Sequence, residues 1–197
     1  QRGAPTFGSL NNLAKLNERV LALWSRLLAA VPGSRLIIQA QALDDPPNRE
    51  RFAALAARAG IAPDCLDLRP FAPLEQAAQA YHEIDIALDP FPFCGGMTSF
   101  EALWMGVPVV TLEQPMIAGR QTLAMLRNLR LDELIAGNEA HYLKVATALA
   151  TDLPRLAELR RGLRPRFAAS PLADYQGFAR DFAATLRDMW RAWAGAR

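Results

Sequence analysis

Lysine is almost missing from this chain. Of 22 basic residues only Lys15 and Lys144 are lysines and the rest are arginines, a bias that points to a GC-rich bacterial genome and makes each lysine worth attention. The arginines are scattered through helical stretches, not gathered into a stripe, and the net charge is only +2, which argues against a nucleic-acid partner. Cysteine and histidine are equally scarce. Cys65, Cys94, His82 and His141 make neither a disulfide framework nor a metal-ligand spacing, so two unrelated thiols in a reducing cytosol and no metal are expected. No apolar run approaches the ~18 residues of a membrane span, and no signal peptide opens the chain, so a cytoplasmic location without membrane contact is expected. The P-loop, G-x-G-x-x-G, G-x-S-x-G and H-E-x-x-H patterns are absent, which removes support for kinase, dehydrogenase, serine hydrolase and zinc-protease chemistry.

What is present is a globular composition. Over 197 residues, 51% are apolar and 21% charged, with 12 Gly and 14 Pro, enough apolar surface to offset chain entropy around a single core. The chain opens Gln1-Arg2-Gly3 directly before what reads as a strand, and is expected to be a piece of something longer.

Hydrophobic period predicts an alternation of strands and helices. Leu16, Val20, Leu23, Trp24, Leu27 and Leu28 fall on one helical face, and Pro32-Gly33 ends that helix. A short buried strand comes next, over 35–40. Asp44-Asp45-Pro46-Pro47 reads as a loop, 49–59 as a helix stopped by Gly60, 66–68 as a strand, and Pro73 as a helix start. A strand over 84–88, a helix over 98–105 and a strand over 107–112 continue the pattern. Connections too long for hairpins favour an α/β fold, a Rossmann-like parallel sheet with helices on both faces. From Arg120 the pattern turns helical, over 121–128, 139–150, 154–163 and 175–193. The division expected is a Rossmann-like core over 1–119 and a helical closing segment over 120–197. The last helix carries Phe178, Phe182, Leu186, Met189, Trp190 and Trp193 on one face. Either that face packs on its own domain or part of it docks on a missing domain and stays exposed here.

In open parallel sheets ligands sit beyond the carboxyl ends of the strands, and the loop after Leu88 carries the most informative residues. Gly95-Gly96 precedes a helix whose first turn holds Thr98 and Ser99. Glycines let a backbone approach a phosphate, first-turn N–H groups point at it, and the helix dipole favours its charge. The plain alternative is a turn with a helix cap. Glu101, about one turn beyond Thr98, is placed to accept from a ribose diol. Its plain alternative is a solvated first-turn glutamate.

The run from Asp85 through Leu88-Asp89-Pro90-Phe91-Pro92, Gly95-Gly96-Met97-Thr98-Ser99-Phe100-Glu101 to Val110 resembles the signature of the bacterial O-GlcNAc transferase and SPINDLY-like family. Phe7 to Lys15, Asp132 to Ala136, and Ser170-Pro171-Leu172 with Met189-Trp190 agree with it in order. The resemblance implies the C-terminal, donor-binding half of a GT-B glycosyltransferase, spanning 1–197. It further implies an inverting transferase that takes a UDP-sugar, UDP-GlcNAc first among them, needs no metal or other cofactor, and modifies Ser, Thr or Asn of proteins. The protein acceptor would be held by an N-terminal half or repeat domain. By position, the resemblance assigns Lys15 and Asn12 to the diphosphate and Ala72 to a backbone contact with uracil. Gly95, Gly96, Met97 and Thr98 fall at the diphosphate-binding helix start, and Glu101 at the ribose. Lys15 is the expected catalytic residue, because a fixed ammonium stabilises charge developing on departing UDP.

The departures are also specific. Met97 stands where many relatives carry a hydroxyl residue, and Cys94 where many carry asparagine. Arg120 is kept without the neighbouring serine, while Leu74 and Ala77 occupy positions that would face the uracil ring. The alternative expectation is a non-catalytic nucleotide-binding or partner-docking module.

Overall fold

The computed structural model describes residues 3–196, with the side chains of 74–78 outside that description; the expectation for Leu74 and Ala77 therefore lies outside the described residues. Among the described residues six strands form one sheet: β1 (Thr6–Ser9), β2 (Arg35–Gln39), β3 (Leu66–Arg69), β4 (Ile86–Leu88), β5 (Val109–Leu112) and β6 (Ile135–Ala136). Their spatial order is β3-β2-β1-β4-β5-β6, and every pairing is parallel. The central strands are buried along their whole length, as a parallel sheet covered on both faces requires.

Among the described residues eight α-helices accompany the strands, the first five between them and the last three in succession after β6: α1 (Glu18–Ala30), α2 (Pro46–Arg58), α3 (Leu74–Glu83), α4 (Met97–Trp104), α5 (Gln121–Asn128), α6 (Glu139–Thr151), α7 (Leu153–Ala168) and α8 (Tyr175–Gly195). The chain steps outward from β1 to β3, returns, and steps the other way from β4 to β6. Right-handed crossovers then place the two sets of helices on opposite faces. Accordingly α1 packs on α2 and α6, and α4 packs on α5 and α7. All six apolar residues assigned to the α1 face are buried, with Trp24 among the largest.

The strands expected over 84–88 and 107–112 each begin two residues later, and three larger differences from the sequence reading have a physical reason. Pro46 and Pro47 sit in the first turn of α2, where a missing N–H costs nothing, and not in a loop. The stretch beyond Arg120 is not wholly helical: Ile135 and Ala136 pair with Thr111 and Leu112 as the sixth strand, and two residues are too few to carry a period. Helix α7 runs past Leu163 to Ala168 with Pro165 inside it. It is held there by Phe167, which is buried and meets the rings of Phe100 at 4.6 Å and Trp104 at 5.6 Å.

The face of α8 settles the question it raised. Phe178, Phe182, Leu186, Met189 and Trp190 are all half or more exposed, so this face does not pack on the domain that carries it. No helix among the described residues is long and apolar enough to cross a membrane.

Candidate functional site

The strand order reverses direction between β1 and β4, and the crevice beyond their carboxyl ends is where such sheets take ligands. Four loops meet there, after β1, β2, β3 and β4. Together they line a cleft of about 300 Å³ that includes Asn12, Gln39, Ala72, Thr98 and Glu101. Sequence reasoning had proposed four of these five, drawn from three separate stretches of the chain. A larger hollow of about 590 Å³ is lined by α2 and β3 and contains none of the proposed residues. Arg35 and Arg49 line it together with Glu50, Asp64 and Asp67.

The elbow before α4 is built on a buried carboxylate. Asp89, 1% exposed, comes directly after β4. Its Oδ2 accepts from the Thr111 hydroxyl at 2.6 Å, and its Oδ1 accepts from the Gly95 N–H at 2.6 Å and lies 3.5 Å from the Ser99 hydroxyl. Burial pushes the Asp89 carboxyl above the ordinary carboxylate range, while the Thr111 hydroxyl, the Gly95 N–H and the charge of Lys15 pull against that rise. The Gly95 carbonyl in turn accepts from the Thr122 hydroxyl at 3.2 Å. A methyl group on Gly95 would be driven into the Ser99 hydroxyl and come within 2.9 Å of Asp89 Oδ1, so only glycine fits.

This changes the part Gly95 can play. Its N–H is committed to Asp89 and the residue is buried, so the unengaged donors begin one residue later. No side chain caps α4, and the N–H groups of Gly96, Met97 and Thr98 meet no acceptor among the described residues. Three such groups with a helix dipole behind them form an anion seat. The Met97 side chain is 70% exposed and leaves its backbone open.

Thr98 and Glu101 are fixed from behind. The Thr98 hydroxyl donates to Asn11 Oδ1 at 3.0 Å, and Asn11 Nδ2 donates to the Ser9 hydroxyl at 3.1 Å, tying α4 to the end of β1. The Tyr81 hydroxyl lies 3.1 Å from the Thr98 carbonyl oxygen and 3.3 Å from Glu101 Oε2. Burial and the neighbouring Glu101 charge push the Tyr81 phenol well above its ordinary value, which keeps it a donor. One Glu101 oxygen thus has a partner on the protein, and the other has none among the described residues.

Lys15 ends a short 3-10 turn, Leu13–Lys15, capped by Asn12, whose Oδ1 accepts from the Ala14 N–H at 2.9 Å. The Lys15 ammonium donates to the Cys94 carbonyl at 2.8 Å and lies 4.5 Å from the centre of the Phe93 ring. It therefore stands beside the Gly95-Gly96 elbow and, like Gly95, Gly96 and Met97, outside the lining of the cleft itself; among the described residues only one of its three N–H groups has a hydrogen-bond acceptor. Asn17, the cap of α1, anchors the same loop by donating to the Phe91 carbonyl at 2.9 Å. Ala72 lines the cleft from the end of β3, next to Phe71, whose N–H donates to Asp44 at 2.8 Å. Arg120 turns to Glu113 at 3.3 Å and the Gln114 carbonyl. Cys65 and Cys94 are free thiols.

Sequence reasoning missed Gln39, Tyr81 and the role of Asp89. Only Asp89 carried a signal, as an acid at the carboxyl end of an apolar strand.

An open parallel sheet in this order, with unengaged helix N–H groups and a carboxylate one turn on at its switch point, defines a Rossmann-like α/β domain suited to an anionic ligand. A sequence profile of glycosyl transferase family 41 matches residues 2–182, and the chain belongs to that family. It is 41% identical over 190 residues to SPINDLY of Petunia hybrida, named as a probable UDP-N-acetylglucosamine–peptide N-acetylglucosaminyltransferase, covering 96% of this chain and 20% of that protein. The chain thus spans about a fifth of the length of such curated relatives. Its structure matches a solved O-GlcNAc transferase of Thermobaculum terrenum with a TM-score of 0.91 and 39% identity, over 96% of this chain and the C-terminal part of that one, 36% of its length. A sucrose-phosphate synthase of Thermosynechococcus elongatus, 16% identical with a TM-score of 0.68 over 98% of this chain and 47% of that one, shares the fold alone.

Proposed function

We propose that this chain is the UDP-sugar-binding domain of an inverting, metal-independent protein glycosyltransferase of a bacterial cytoplasm, with GlcNAc the sugar moved. The acceptor is a Ser, Thr or Asn side chain of a protein, held by parts of the enzyme outside this chain. The observation that carries the reading is that Thr98, in the uncapped first turn of α4, and Glu101 line one cleft. The first suits a diphosphate and the second a ribose diol, at the spacing of one helical turn. Family membership and the relatives' names support the sugar and the acceptor class.

In this reading the diphosphate lies against the N–H groups of Gly96, Met97 and Thr98, Glu101 Oε1 accepts from the ribose, and Ala72 meets the base through its backbone. Attack of the acceptor on the sugar's anomeric carbon breaks the bond to the β-phosphate oxygen; the electron pair leaves with UDP, and the acceptor's proton passes to solvent. The α4 dipole and the Lys15 ammonium stabilise that charge where it develops. Lys15 reaches it by giving up or sharing its contact with the Cys94 carbonyl. Asn12 acts one step back, by capping the turn that sets Lys15.

The test is transfer of labelled sugar to protein by the full-length gene product, supplied with UDP-GlcNAc, UDP-glucose or GDP-fucose. Incorporation from UDP-GlcNAc that collapses in Lys15→Ala supports the proposal. Equal incorporation by the variant, or incorporation from GDP-fucose alone, overturns it.

A further inference from the structure

The elbow before α4 is also held from α5, by a hydroxyl to which the nucleotide reading gives no task. Thr122, in the first turn of α5, is fully buried. Its Oγ1 donates to the Gly95 carbonyl at 3.2 Å and lies 2.9 Å from the Ser99 hydroxyl. A threonine hydroxyl has a single proton, so with that proton on the Gly95 carbonyl it is Ser99 that donates to Thr122. The residue before it, Gln121, lies over the next glycine: a Cβ on Gly96 would come within 2.8 Å of Gln121 Oε1. The start of α5 therefore bears on both glycines of the elbow.

What the bond to Gly95 achieves follows from peptide geometry. The Gly95 carbonyl and the Gly96 N–H belong to one planar trans unit and point in opposite directions. Turning the carbonyl inward to the buried Thr122 turns the Gly96 N–H the other way, where it meets no acceptor among the described residues. Asp89 does not secure this unit, because the Gly95 N–H that it takes belongs to the preceding one. With glycine on either side, no Cβ opposes rotation of the unit. Were it to turn over, a carbonyl oxygen would stand where the start of α4 now offers an N–H, and an anion would meet the wrong end of the dipole. We infer that Thr122 is a positioning residue for the diphosphate: by holding the Gly95 carbonyl, its hydroxyl keeps the Gly96 N–H aimed outward as the first donor of the α4 anion seat. This rests on the reading of the elbow as a phosphate site and adds to it the residue, from a different helix, that sets the seat before a ligand arrives.

NMR titration of the chain with UDP and with uridine, comparing the wild type with Thr122→Val, Thr122→Ala and Thr122→Ser, tests it. Uridine keeps the base and ribose and lacks the phosphates. The valine and alanine variants lack the hydroxyl and the serine variant retains it. Each hydroxyl-free variant is expected to bind UDP roughly 3- to 10-fold more weakly, the size that one lost hydrogen bond implies, and to bind uridine as the wild type does. Thr122→Ser is expected to bind UDP like the wild type. Relaxation dispersion in the free proteins reads the peptide unit itself: the Gly96 amide is expected to be free of microsecond–millisecond exchange in the wild type and to broaden or shift in the hydroxyl-free variants. Such exchange at Gly96 in the wild type overturns the inference, whether or not the variants fold. Wild-type UDP affinity in the valine or alanine variant, or an equal loss for UDP and uridine, overturns the role of Thr122 while leaving the phosphate site standing. A wild type that binds UDP no more tightly than uridine overturns the site reading and this inference with it.

Discussion

Replacing Thr111 by valine removes one hydroxyl and almost no volume, which isolates the hydrogen bond that the hydroxyl makes. Thr111 is fully buried and its Oγ1 lies 2.6 Å from Asp89 Oδ2, the short distance of a hydrogen bond to a charged acceptor. Such bonds contribute about 1.5–3 kcal/mol, and valine leaves Oδ2 without a donor. For a chain of this size that corresponds to a fall of about 3–12 °C in thermal midpoint. The loss depends on pH with a definite sign. Burial already raises the Asp89 carboxyl above its unfolded value, so its contribution is fully present at low pH and is lost as pH rises through the raised value. Removing the Thr111 donor raises it further, so Thr111→Val loses more on the way up. The gap between variant and wild type is expected to be widest where wild-type Asp89 is ionised and to narrow as pH falls and both proteins take up the proton. Thermal melts of the two proteins from the ordinary carboxylate range upward in pH read this directly. A gap below about 0.5 kcal/mol, a size ordinary for a substitution that touches nothing special, or one that does not change with pH, refutes the role of Asp89 as the buried carboxyl group that holds the elbow.

Three further outcomes are expected from the geometry. Lys15→Ala is expected to lower turnover of the full-length gene product about 10²-fold with a much smaller effect on the melting of this chain, and unchanged turnover defeats the catalytic assignment. Gly95→Ala forces a methyl group against Ser99 and Asp89 and is expected to cost about 1–3 kcal/mol in urea denaturation while weakening UDP binding; a variant of wild-type stability shows that the elbow is looser than drawn. Phe182→Ser removes a ring that is 55% exposed and is expected to shift the stability of this chain by no more than about 0.5 kcal/mol; a loss above about 1 kcal/mol by denaturant midpoint shows that α8 is packed against its own domain.

Most elements were legible because a doubly covered parallel sheet writes itself as short apolar runs between helical periods, and Val107 to Leu112 or Leu16 to Leu28 leave little choice. The strand Ile135–Ala136 was not, since two residues between polar turns carry no period and gain strand character only from β5 beside them. The site divides the same way. Gly96, Thr98 and Glu101 can be read from helix geometry once the helix start is placed. Which glycine keeps its N–H free cannot, because that depends on Asp89 turning back across six residues to take the Gly95 donor. Gln39 reads in sequence as a polar residue at a strand end, and only the arrival of β1, β3 and α4 around it makes it a buried amide. Tyr81 likewise looks like a helix-end aromatic until the fold sets its hydroxyl beside Glu101.

The central claim is that the carboxyl end of the β1–β4 crevice grips a nucleotide diphosphate through the open start of α4. Backbone amide resonances monitored by NMR during titration with UDP test it most directly. Gly96, Met97 and Thr98 are expected to move most, with Glu101 and Ala72 next and the Gly95 amide held by Asp89. Shifts confined to the hollow beside β3, or none at saturating UDP, contradict it.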